Sequence, residues 1–501
     1  MDSALFTDFY SLTMAQGYFK RDLKERAVFE MFFRQQPFGG GYSIFAGLGT
    51  LLDSLLNLSF SEDDISYLKS LKVFDDSFLE YLKTFHFNGC LWAMDEGTVV
   101  FPHEPLIRVE GEPVECQIIE GLLLNVINFQ SLIATKTCRI WLASKKGSVM
   151  EFGLRRAQGP DGALSASRAA YIGGAAGTSN TLAGKIFGIP AMGTMAHSWI
   201  MSFDSEEEAF DNYASLYPDK AVFLVDTYDT LKSGLPNAVK AGKKLAAKGK
   251  NFGIRLDSGD IQYLSTESRR QLDEAGLKNA FITVSNDLDE YIIEMLVKDG
   301  APVDSWGVGT RMVTGGQTAN TVCSSFPGVY KLSARMDGEK IIPVMKVSDN
   351  MEKTTNPGIK QVWRIKDKSG SALVDLLGLE PAAEQRSGDG AALHLSAGSD
   401  EPKEGQRLCF WHHSADYRRF IHTIDGAAEA LLKKRMENGK LTAPLPALDD
   451  IRKHAQTDLE SFDATYKRLL NPHVYKISIT DALRNLKLEL IQKHLGNREE
   501  I

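Results

Sequence analysis

The sequence lacks the features that mark membrane proteins and secreted proteins. No apolar run approaches the roughly 20 residues that a helix needs to cross a bilayer. Its first ten residues contain no basic segment followed by an apolar one, so we expect no secretory signal. The five cysteines are scattered and include no CxxC pair, a spacing that predicts neither a disulfide framework nor a zinc site. We therefore expect a cytoplasmic protein.

Basic residues are also fewer than acidic residues. The 57 Lys and Arg residues are outnumbered by 65 Asp and Glu residues, which gives a formal net charge of −8. General binding to nucleic acid requires clustered basic side chains, so this balance argues against it. A local basic pocket for a small anion remains compatible with the composition.

With 501 residues the chain is long enough for more than one domain. Residues 1–130 have the pattern of an α+β domain, which part of the C-terminal region is expected to join. Residues 131–365 are expected to form a catalytic α/β barrel. Residues 366–501 form a C-terminal region that begins with an acidic, Gly- and Ser-rich excursion at 367–408 and continues mostly as charged helices.

The central region repeats one pattern, in which a short apolar run ends in a polar turn and a helical stretch follows. Alternation of this kind predicts right-handed βαβ units with parallel strands. The runs occupy residues 149–152, 189–192, 221–225, 252–256, 281–284 and 306–309, and a seventh run at 328–332 is a candidate to close the set. Polar residues follow the runs, and the βα loops of such a fold converge at one edge, so we expect a shared site there.

Several turns carry signals for helix starts. Ser205 with Glu208 has the spacing of a capping box, and Asn286 with Asp287 is expected to open a helix at Leu288. Asp260 is also well placed to cap a helix. An ion pair between Arg255 and Asp257, with Asp260 as a cap, is the structural alternative to a functional role for this turn.

Three of the loops have chemistry that suits phosphate. The sequence GVGT at 307–310 combines flexible glycines with a hydroxyl donor, but it is neither a P-loop nor a dinucleotide fingerprint. Arg255 offers two parallel hydrogen bonds to phosphate, and the carboxylates after it suit ribose hydroxyls or Mg²⁺ held through water. Arg155 and Arg156 follow an apolar strand, where two arginines are costly unless they meet anions.

The same blocks resemble the nicotinate phosphoribosyltransferase family over nearly the whole chain. Many ordered blocks together are far more specific than any one of them. The matching segments are TDFY at 7–10, TMA at 13–15, FFR at 32–34, PFGG at 37–40, EFG at 151–153, RRAQ at 155–158, GTSN at 177–180, GTMAHS at 193–198, LVDTYDT at 224–230 and RLDSGD at 255–260.

This resemblance implies an activity and a fold. Members join nicotinate to 5-phosphoribosyl 1-diphosphate to give nicotinate mononucleotide and diphosphate, the first step of NAD salvage from nicotinate. ATP is hydrolysed as co-substrate through a transient phosphohistidine, which places the family in the ATP-dependent ligase class, and Mg²⁺ accompanies the diphosphate. The implied fold is an irregular α/β barrel of the type II phosphoribosyltransferase kind, in a homodimer with shared active sites. No residue is assigned as a direct metal ligand.

The resemblance also implies roles for particular residues. The catalytic group is His197 with Arg255 and Asp257, and His197 is the residue that would be phosphorylated, although a lone histidine is more often structural. The residues expected to bind substrate are Tyr10 (from the neighbouring subunit) and Phe152 on the pyridine, Arg155 on the carboxylate or diphosphate, Thr178, Asn180 and Ser198, Gly309 and Thr310 on the 5′-phosphate, and Lys346 and Lys353 on the diphosphate.

Three alternatives remain open at this point. In the nicotinamide phosphoribosyltransferases an aspartate stands where this chain has Asn180, and a carboxylate there would repel nicotinate. A quinolinate phosphoribosyltransferase should need a denser cationic pocket. A non-catalytic metabolite-binding protein on the same fold should have lost His197 or the pair Arg255 and Asp257, yet all three residues are present.

Overall fold

The computed structural model describes residues 3–21, 25–316, 325–338, 340–348, 353–380, 401–413 and 418–496. The chain divides into two compact units. The first combines Met1–Leu132 with Ser325–Ile501, and the second is Ile133–Ser324. Residues 381–400 of the predicted excursion lie outside the described residues. In the part of the chain that is described, we find no helix with the length and apolar character needed to cross a bilayer.

The strands alternate with helices in the middle of the chain and cluster toward both ends. In chain order the strands are β1 (Arg26–Phe33), β2 (Ser43–Ile44), β3 (Cys90–Ala93), β4 (Val99–Val100), β5 (Ile107–Gly111), β6 (Ser148–Glu151), β7 (Gly177–Thr178), β8 (Val222–Leu224), β9 (Gly253–Leu256), β10 (Phe281–Asn286), β11 (Ser305–Val308), β12 (Gly328–Asp337), β13 (Lys340–Pro343), β14 (Lys360–Lys366), β15 (Ala372–Leu379), β16 (Arg407–His412), β17 (Arg419–Thr423), β18 (Ala428–Ala430), β19 (Lys433–Glu437), β20 (Lys440–Leu441) and β21 (Ile477–Ile479). The α-helices are α1 (Phe9–Lys20), α2 (Leu48–Asn57), α3 (Glu62–Ser70), α4 (Asp76–Leu82), α5 (Pro113–Ile118), α6 (Glu120–Ala143), α7 (Gly159–Ile172), α8 (Thr181–Phe187), α9 (His197–Met201), α10 (Glu206–Leu216), α11 (Leu235–Ala246), α12 (Ile261–Glu274), α13 (Glu290–Lys298), α14 (Thr310–Val313), α15 (Leu448–Glu460) and α16 (Asp481–Gly496).

The second unit is built on a six-stranded sheet in the order β7-β6-β11-β10-β9-β8. Every neighbouring pair in it is parallel, which confirms the predicted α/β architecture. The strands are short and mostly apolar, and Ile254, Val284 and Val308 are fully buried. With β7 and β8 as edges, the sheet is a partial barrel, and its strand ends point to one side.

Two of the seven apolar runs do not form the predicted parallel strands. The run at 189–192 contributes only a single bridge, between Ala191 and Thr178, because Pro190 has no N–H to donate to a ladder. The run at 328–332 begins β12, which pairs antiparallel with β1 and β13 in the first unit. The prediction that it closes the parallel set is therefore wrong, since an apolar run does not reveal its partner strand.

Helix starts follow the predicted signals at two of three positions. Ser205 Oγ accepts a hydrogen bond of 3.2 Å from the Glu208 N–H, and Asp260 Oδ1 accepts one of 3.0 Å from the Tyr263 N–H. The third start is later than predicted. Residue Asn286 is still part of β10, and Asp289 caps α13 by accepting from the N–H groups of its first turn.

The first unit contains a seven-stranded sheet in the order β13-β12-β1-β5-β3-β19-β20 and a six-stranded sheet in the order β17-β16-β21-β15-β14-β18. The predicted surface excursion is wrong over Ala372–Leu379, because β15 carries fully buried leucines. The last part of the chain has the predicted helices α15 and α16, but it also supplies β16 to β21. These strands were not predicted because charged sequences such as Lys433–Glu437 lack the run of apolar residues that indicates a strand.

Candidate active site

A pocket of about 440 Å³ opens at the carboxyl ends of the parallel strands in the second unit. The loops after β6, β9, β10 and β11 supply most of its walls, as the convergence of βα loops requires. Six of the predicted site residues line it, namely Phe152, Arg155, Arg255, Asp257, Gly309 and Thr310.

Arg255 is held in one orientation by three directed hydrogen bonds. Its Nε donates to Ser285 Oγ at 2.8 Å, one Nη to Thr194 Oγ1 at 3.0 Å, and the other Nη to Asp257 Oδ1 at 2.7 Å. The guanidinium carbon also lies 5.7 Å from the centre of the Phe152 ring. A cation fixed in this way at a pocket wall needs little reorganisation when an anion arrives.

The carboxylate of Asp257 is also fixed by its hydrogen-bond partners and by the charge of Arg255. Partial burial raises the pKa of this carboxyl, but the hydrogen bond from Ser285 and the charge of Arg255 outweigh burial and bring the pKa below its usual value. The turn beneath it is tied to Asp226, whose Oδ2 accepts from the Asp257 N–H at 2.9 Å and from Ser258 Oγ at 2.6 Å. Asp257 is therefore an anion at neutral pH.

His197 begins α9 and lies next to this cluster. Its Nδ1 is 3.1 Å from Thr227 Oγ1, and its Nε2 is 3.8 Å from Asp257 Oδ2. The side chain is 40% exposed. Thr227 thus occupies one ring nitrogen, and the other faces the side of the pocket where Asp257 lies.

The position of the Phe152 ring in the pocket wall depends on the glycine at position 307. A Cβ on Gly307 would come within 2.6 Å of the Phe152 ring, so only glycine leaves room for the ring there. Beyond Phe152, a 3₁₀ turn at Leu154–Arg156 presents Arg155 and Arg156 to solvent. Neither arginine side chain makes a hydrogen bond or ion pair with any other described residue, so both charges are available to an anion.

Five predicted residues of this unit contribute differently. Thr178 and Asn180 are buried: Thr178 donates to Glu151, and Asn180 Oδ1 caps α8 by accepting from the Ala183 N–H at 3.2 Å. Ser179 lies between them and lines the pocket instead. Ser198 is exposed on α9, while Gly309 and Thr310 begin the short helix α14.

The remaining predicted residues belong to the first unit. Tyr10 lies on α1 with 49% of its side chain exposed. Lys346 and Lys353 are both exposed residues of that unit.

The hydroxyl residues of the site were given no role by sequence reasoning. Ser285, Thr194 and Thr227 orient the charged groups through their hydroxyls. Arg156, which the sequence pattern already paired with Arg155 as a candidate to meet anions, lines the pocket beside it. All of them follow apolar runs, so position was the available signal. Serine and threonine are common in every loop, which is why residue type gave none.

Models of one protein family match this chain along most of its length. The nicotinate phosphoribosyltransferase N-terminal domain matches residues 5–128, the nicotinate phosphoribosyltransferase family matches residues 148–373, and the corresponding C-terminal domain matches residues 359–487.

Full-length relatives agree with these matches. The nicotinate phosphoribosyltransferase of Bacillus subtilis (strain 168) is 38% identical over 499 residues, which is 99% of this chain and 97% of that protein. The Dictyostelium discoideum enzyme of the same name is 37% identical over 544 residues, with coverage of 97% and 88%. Among solved structures, human nicotinic acid phosphoribosyltransferase superposes with a TM-score of 0.79 at 29% identity, covering 97% of this chain and 99% of that one. A nicotinate-nucleotide pyrophosphorylase from Pyrococcus furiosus shares the fold, with a TM-score of 0.65 at 22% identity and coverage of 91% and 95%.

Proposed function

The chain belongs to the nicotinate phosphoribosyltransferase family and joins nicotinate to 5-phosphoribosyl 1-diphosphate in NAD salvage, and we propose that the pocket of the second unit carries out this transfer. The observation that carries the proposal is the cluster of Arg255, Asp257 and Ser285 beside the free Arg155 and Arg156. It puts fixed charges of both signs around one cavity.

These charges suit the reaction. Transfer at ribose C1 passes through a state with positive charge on the sugar and growing negative charge on the leaving diphosphate. Asp257 would stabilise the sugar, and Arg255 would stabilise the leaving group. The pyridine nitrogen is itself the nucleophile that forms the new C–N bond, so the protein needs to hold it in line with C1 and needs no strong base.

The pyridine ring is assigned to Phe152, and its carboxylate to Arg155, with Tyr10 of a second subunit closing the other face. Supporting this, Tyr10 is exposed on α1 together with Phe9 and Met14, an apolar surface of the kind that a subunit interface covers. A homodimer with shared active sites follows from this assignment. Gly309 and Thr310 would bind the 5′-phosphate through backbone N–H groups and the Thr310 hydroxyl.

ATP is coupled through His197 in this proposal. The Nε2 atom would attack the γ-phosphorus of ATP, forming a P–N bond while ADP leaves with the bonding electrons, and water would later cleave that bond. Supporting it, Thr227 holds Nδ1 and leaves Nε2 on the Asp257 side. A phosphoryl group there would add negative charge beside the diphosphate site. The activity then falls in the ATP-dependent ligase class.

Mg²⁺ is expected with the diphosphate. Asp226 Oδ1 is buried and has no hydrogen-bond partner among the described residues, and it neighbours the turn that carries Asp257. These two carboxylates would hold the ion through water, and its charge would offset that of the leaving group. We also propose a cytoplasmic location, which the free thiols of Cys90, Cys116 and Cys409 support.

The test is release of diphosphate by the purified chain with the phosphoribosyl donor and either nicotinate or nicotinamide. We expect turnover with nicotinate and little with the amide, because Arg155 and Arg156 offer cations to a carboxylate. Preference for the amide would indicate the nicotinamide reaction instead. Lack of turnover with both pyridines would indicate a non-catalytic binding protein.

The ATP step is tested separately with His197→Ala. The variant should lose the stimulation of turnover by ATP and the acid-labile label from [γ-³²P]ATP. His454→Ala is the matched control, because His454 also pairs with a threonine hydroxyl, that of Thr98 at 3.0 Å, in the first unit. Full ATP stimulation in His197→Ala would rule out the phosphohistidine.

A further inference from the structure

A buried carboxylate stands immediately before the pocket wall in the chain. Glu151 ends β6, directly ahead of Phe152, and only 1% of it is exposed. It forms no ion pair with any of the described residues. A buried charge without a cation must be satisfied by hydrogen bonds, or burial would be too costly.

Three donors satisfy it, from three segments of the second unit. The Gly153 N–H donates to Oε1, and Thr178 at the end of β7 donates to Oε2. Ser167 of α7 shares its hydroxyl hydrogen between Oε2 and the Ala163 carbonyl oxygen, each at 2.9 Å. Hydrogen bonds to a charged acceptor are stronger than those between neutral groups. The carboxylate thus fastens two strand ends and a helix to one point.

The bonds continue to residues that line the pocket. The backbone oxygen of Glu151 accepts from the Ser179 N–H at 2.9 Å. Thr178 Oγ1 in turn accepts from the Asn180 N–H at 2.9 Å. On the other side, Gly153 leads directly into the turn with Arg155. Both walls of the pyridine side therefore take their position from the same residue.

We propose that Glu151 is a positioning residue for nicotinate, which fixes the loop of Phe152 and Arg155 relative to Ser179. A carboxylate has acceptor oxygens on both sides and can therefore accept from all three donors at once. A glutamine would turn an NH₂ group toward donors and break at least one bond. The residue acts through its neighbours.

The phosphoribosyl side of the pocket has separate supports. Arg255 and Asp257 are held by Ser285, Thr194 and Asp226, and none of these hydrogen bonds involves Glu151. Loss of the carboxylate should therefore weaken one substrate selectively. A residue with a merely structural role would affect both substrates alike.

Steady-state kinetics on the full chain test this, once the unaltered protein shows nicotinate turnover. For Glu151→Gln we expect the KM for nicotinate to rise about tenfold or more, while the KM for the phosphoribosyl donor stays within about twofold. Ser167→Ala removes one of the donors and should shift the same ratio by about threefold. It also keeps the proposal testable if Glu151→Gln does not fold.

Thr283→Val is the matched control, because it removes a buried hydroxyl of the same sheet whose hydrogen-bond partner among the described residues is Ser305 Oγ, at 2.7 Å. It should lower the melting temperature without changing the ratio of the two KM values. Equal rises of both KM values in Glu151→Gln and Ser167→Ala would overturn the proposal, as would an unchanged KM for nicotinate. A rise confined to nicotinate supports it.

Discussion

Two arginines of this chain have partners of the same kind, a carboxylate and a phenylalanine ring, but they differ in exposure to solvent. Arg255 in the second unit contacts a carboxylate and lies 5.7 Å from a phenylalanine ring. Arg364 in the first unit contacts the carboxylates of Asp375 and Asp458 and lies 4.8 Å from the Phe462 ring. We call the first group, Arg255 with Asp257 and Ser285, the pocket cluster. The second group, Arg364 with Asp375, Asp458, Tyr475 and Glu104, is the buried cluster.

The difference lies in how completely each charge is satisfied. Arg364 is fully buried, and its donors meet two carboxylates and the Val99 carbonyl. Arg255 is 17% exposed, and its partners within 3.0 Å are one carboxylate and two hydroxyls, with the Met195 carbonyl at 3.5 Å. All five residues of the buried cluster are buried, so they present almost no surface to a ligand. The pocket cluster is rigid yet open, which is the condition for stabilising a charge that appears only during reaction.

The largest expected effect breaks the pocket cluster. Arg255→Met removes the fixed cation, so kcat/KM for diphosphate release should fall about 10³-fold, or about 4 kcal/mol. Because Asp257 keeps Ser285 and reaches water, the free energy of unfolding should change by no more than about 1 kcal/mol. Steady-state kinetics and urea titration measure the two quantities. A loss of stability that matches the loss of activity would show that Arg255 is structural.

The reverse pattern is expected for the buried cluster. Arg364→Met leaves Asp375 and Asp458 without their cation, so the free energy of unfolding should fall by about 3–4 kcal/mol. Turnover per folded molecule should stay within about twofold of the parent. Urea titration gives the first value, and kinetics normalised to the folded fraction give the second. A tenfold fall in normalised turnover would remove the contrast between the two arginines.

The same contrast explains what the sequence could predict. Arg255 and Asp257 were identified because Arg255 lies just inside the end of an apolar run and Asp257 directly follows it, and parallel strands bring such ends together. Nothing in the pattern around Arg364 indicated its partners, since Asp458 lies 94 residues away along the chain. Ser285 and Thr194 are likewise 30 and 61 residues from Arg255. Local position is readable from the sequence, but the identity of a distant partner depends on the fold.

The strands show the same limit. The parallel sheet was predictable because each strand is followed by a helix that returns the chain. The run at 328–332 was misassigned because its partner, β1, comes 295 or more residues earlier, as for Gly328 and Phe33. The inward direction of Thr178 and Asn180 was also beyond reach, since it depends on the position of Glu151.

The pH dependence of stability tests whether Glu104 of the buried cluster is protonated in the folded protein. Burial, and then the Asp375 carboxylate, raise the pKa of Glu104 well above its usual value, with Arg364 opposing them. A carboxyl whose pKa is raised on folding stabilises the protein below its unfolded pKa of about 4.5, and this contribution is lost as the pH rises through the folded value. Glu104→Gln imitates the protonated form, so stability should fall less steeply with pH above 4.5.

At pH 8 we expect Glu104→Gln to be more stable than the parent by at least about 1.4 kcal/mol, the equivalent of one pKa unit. Thermal unfolding across pH 5–8 measures this difference. Glu110→Gln is a useful control, because burial also raises the pKa of Glu110 outside the cluster. Parallel stability profiles for Glu104→Gln and the parent would show that Glu104 is ionised in the folded protein.

The smallest effects come from a matched pair of hydroxyls, one in each cluster. Tyr475 donates to Asp375 Oδ1 at 3.0 Å, and Ser285 donates to Asp257 Oδ1. Tyr475→Phe should lower the free energy of unfolding by about 1 kcal/mol and leave the kinetics unchanged. Ser285→Ala should lower kcat/KM about fivefold, again about 1 kcal/mol, while stability changes by less than about 0.5 kcal/mol because water can replace the bond. Removal of a hydroxyl would then lower the free energy of unfolding in the first unit and kcat/KM in the second. If both variants lost stability and kept their kinetics, the pocket cluster would be no more than a second structural ion pair.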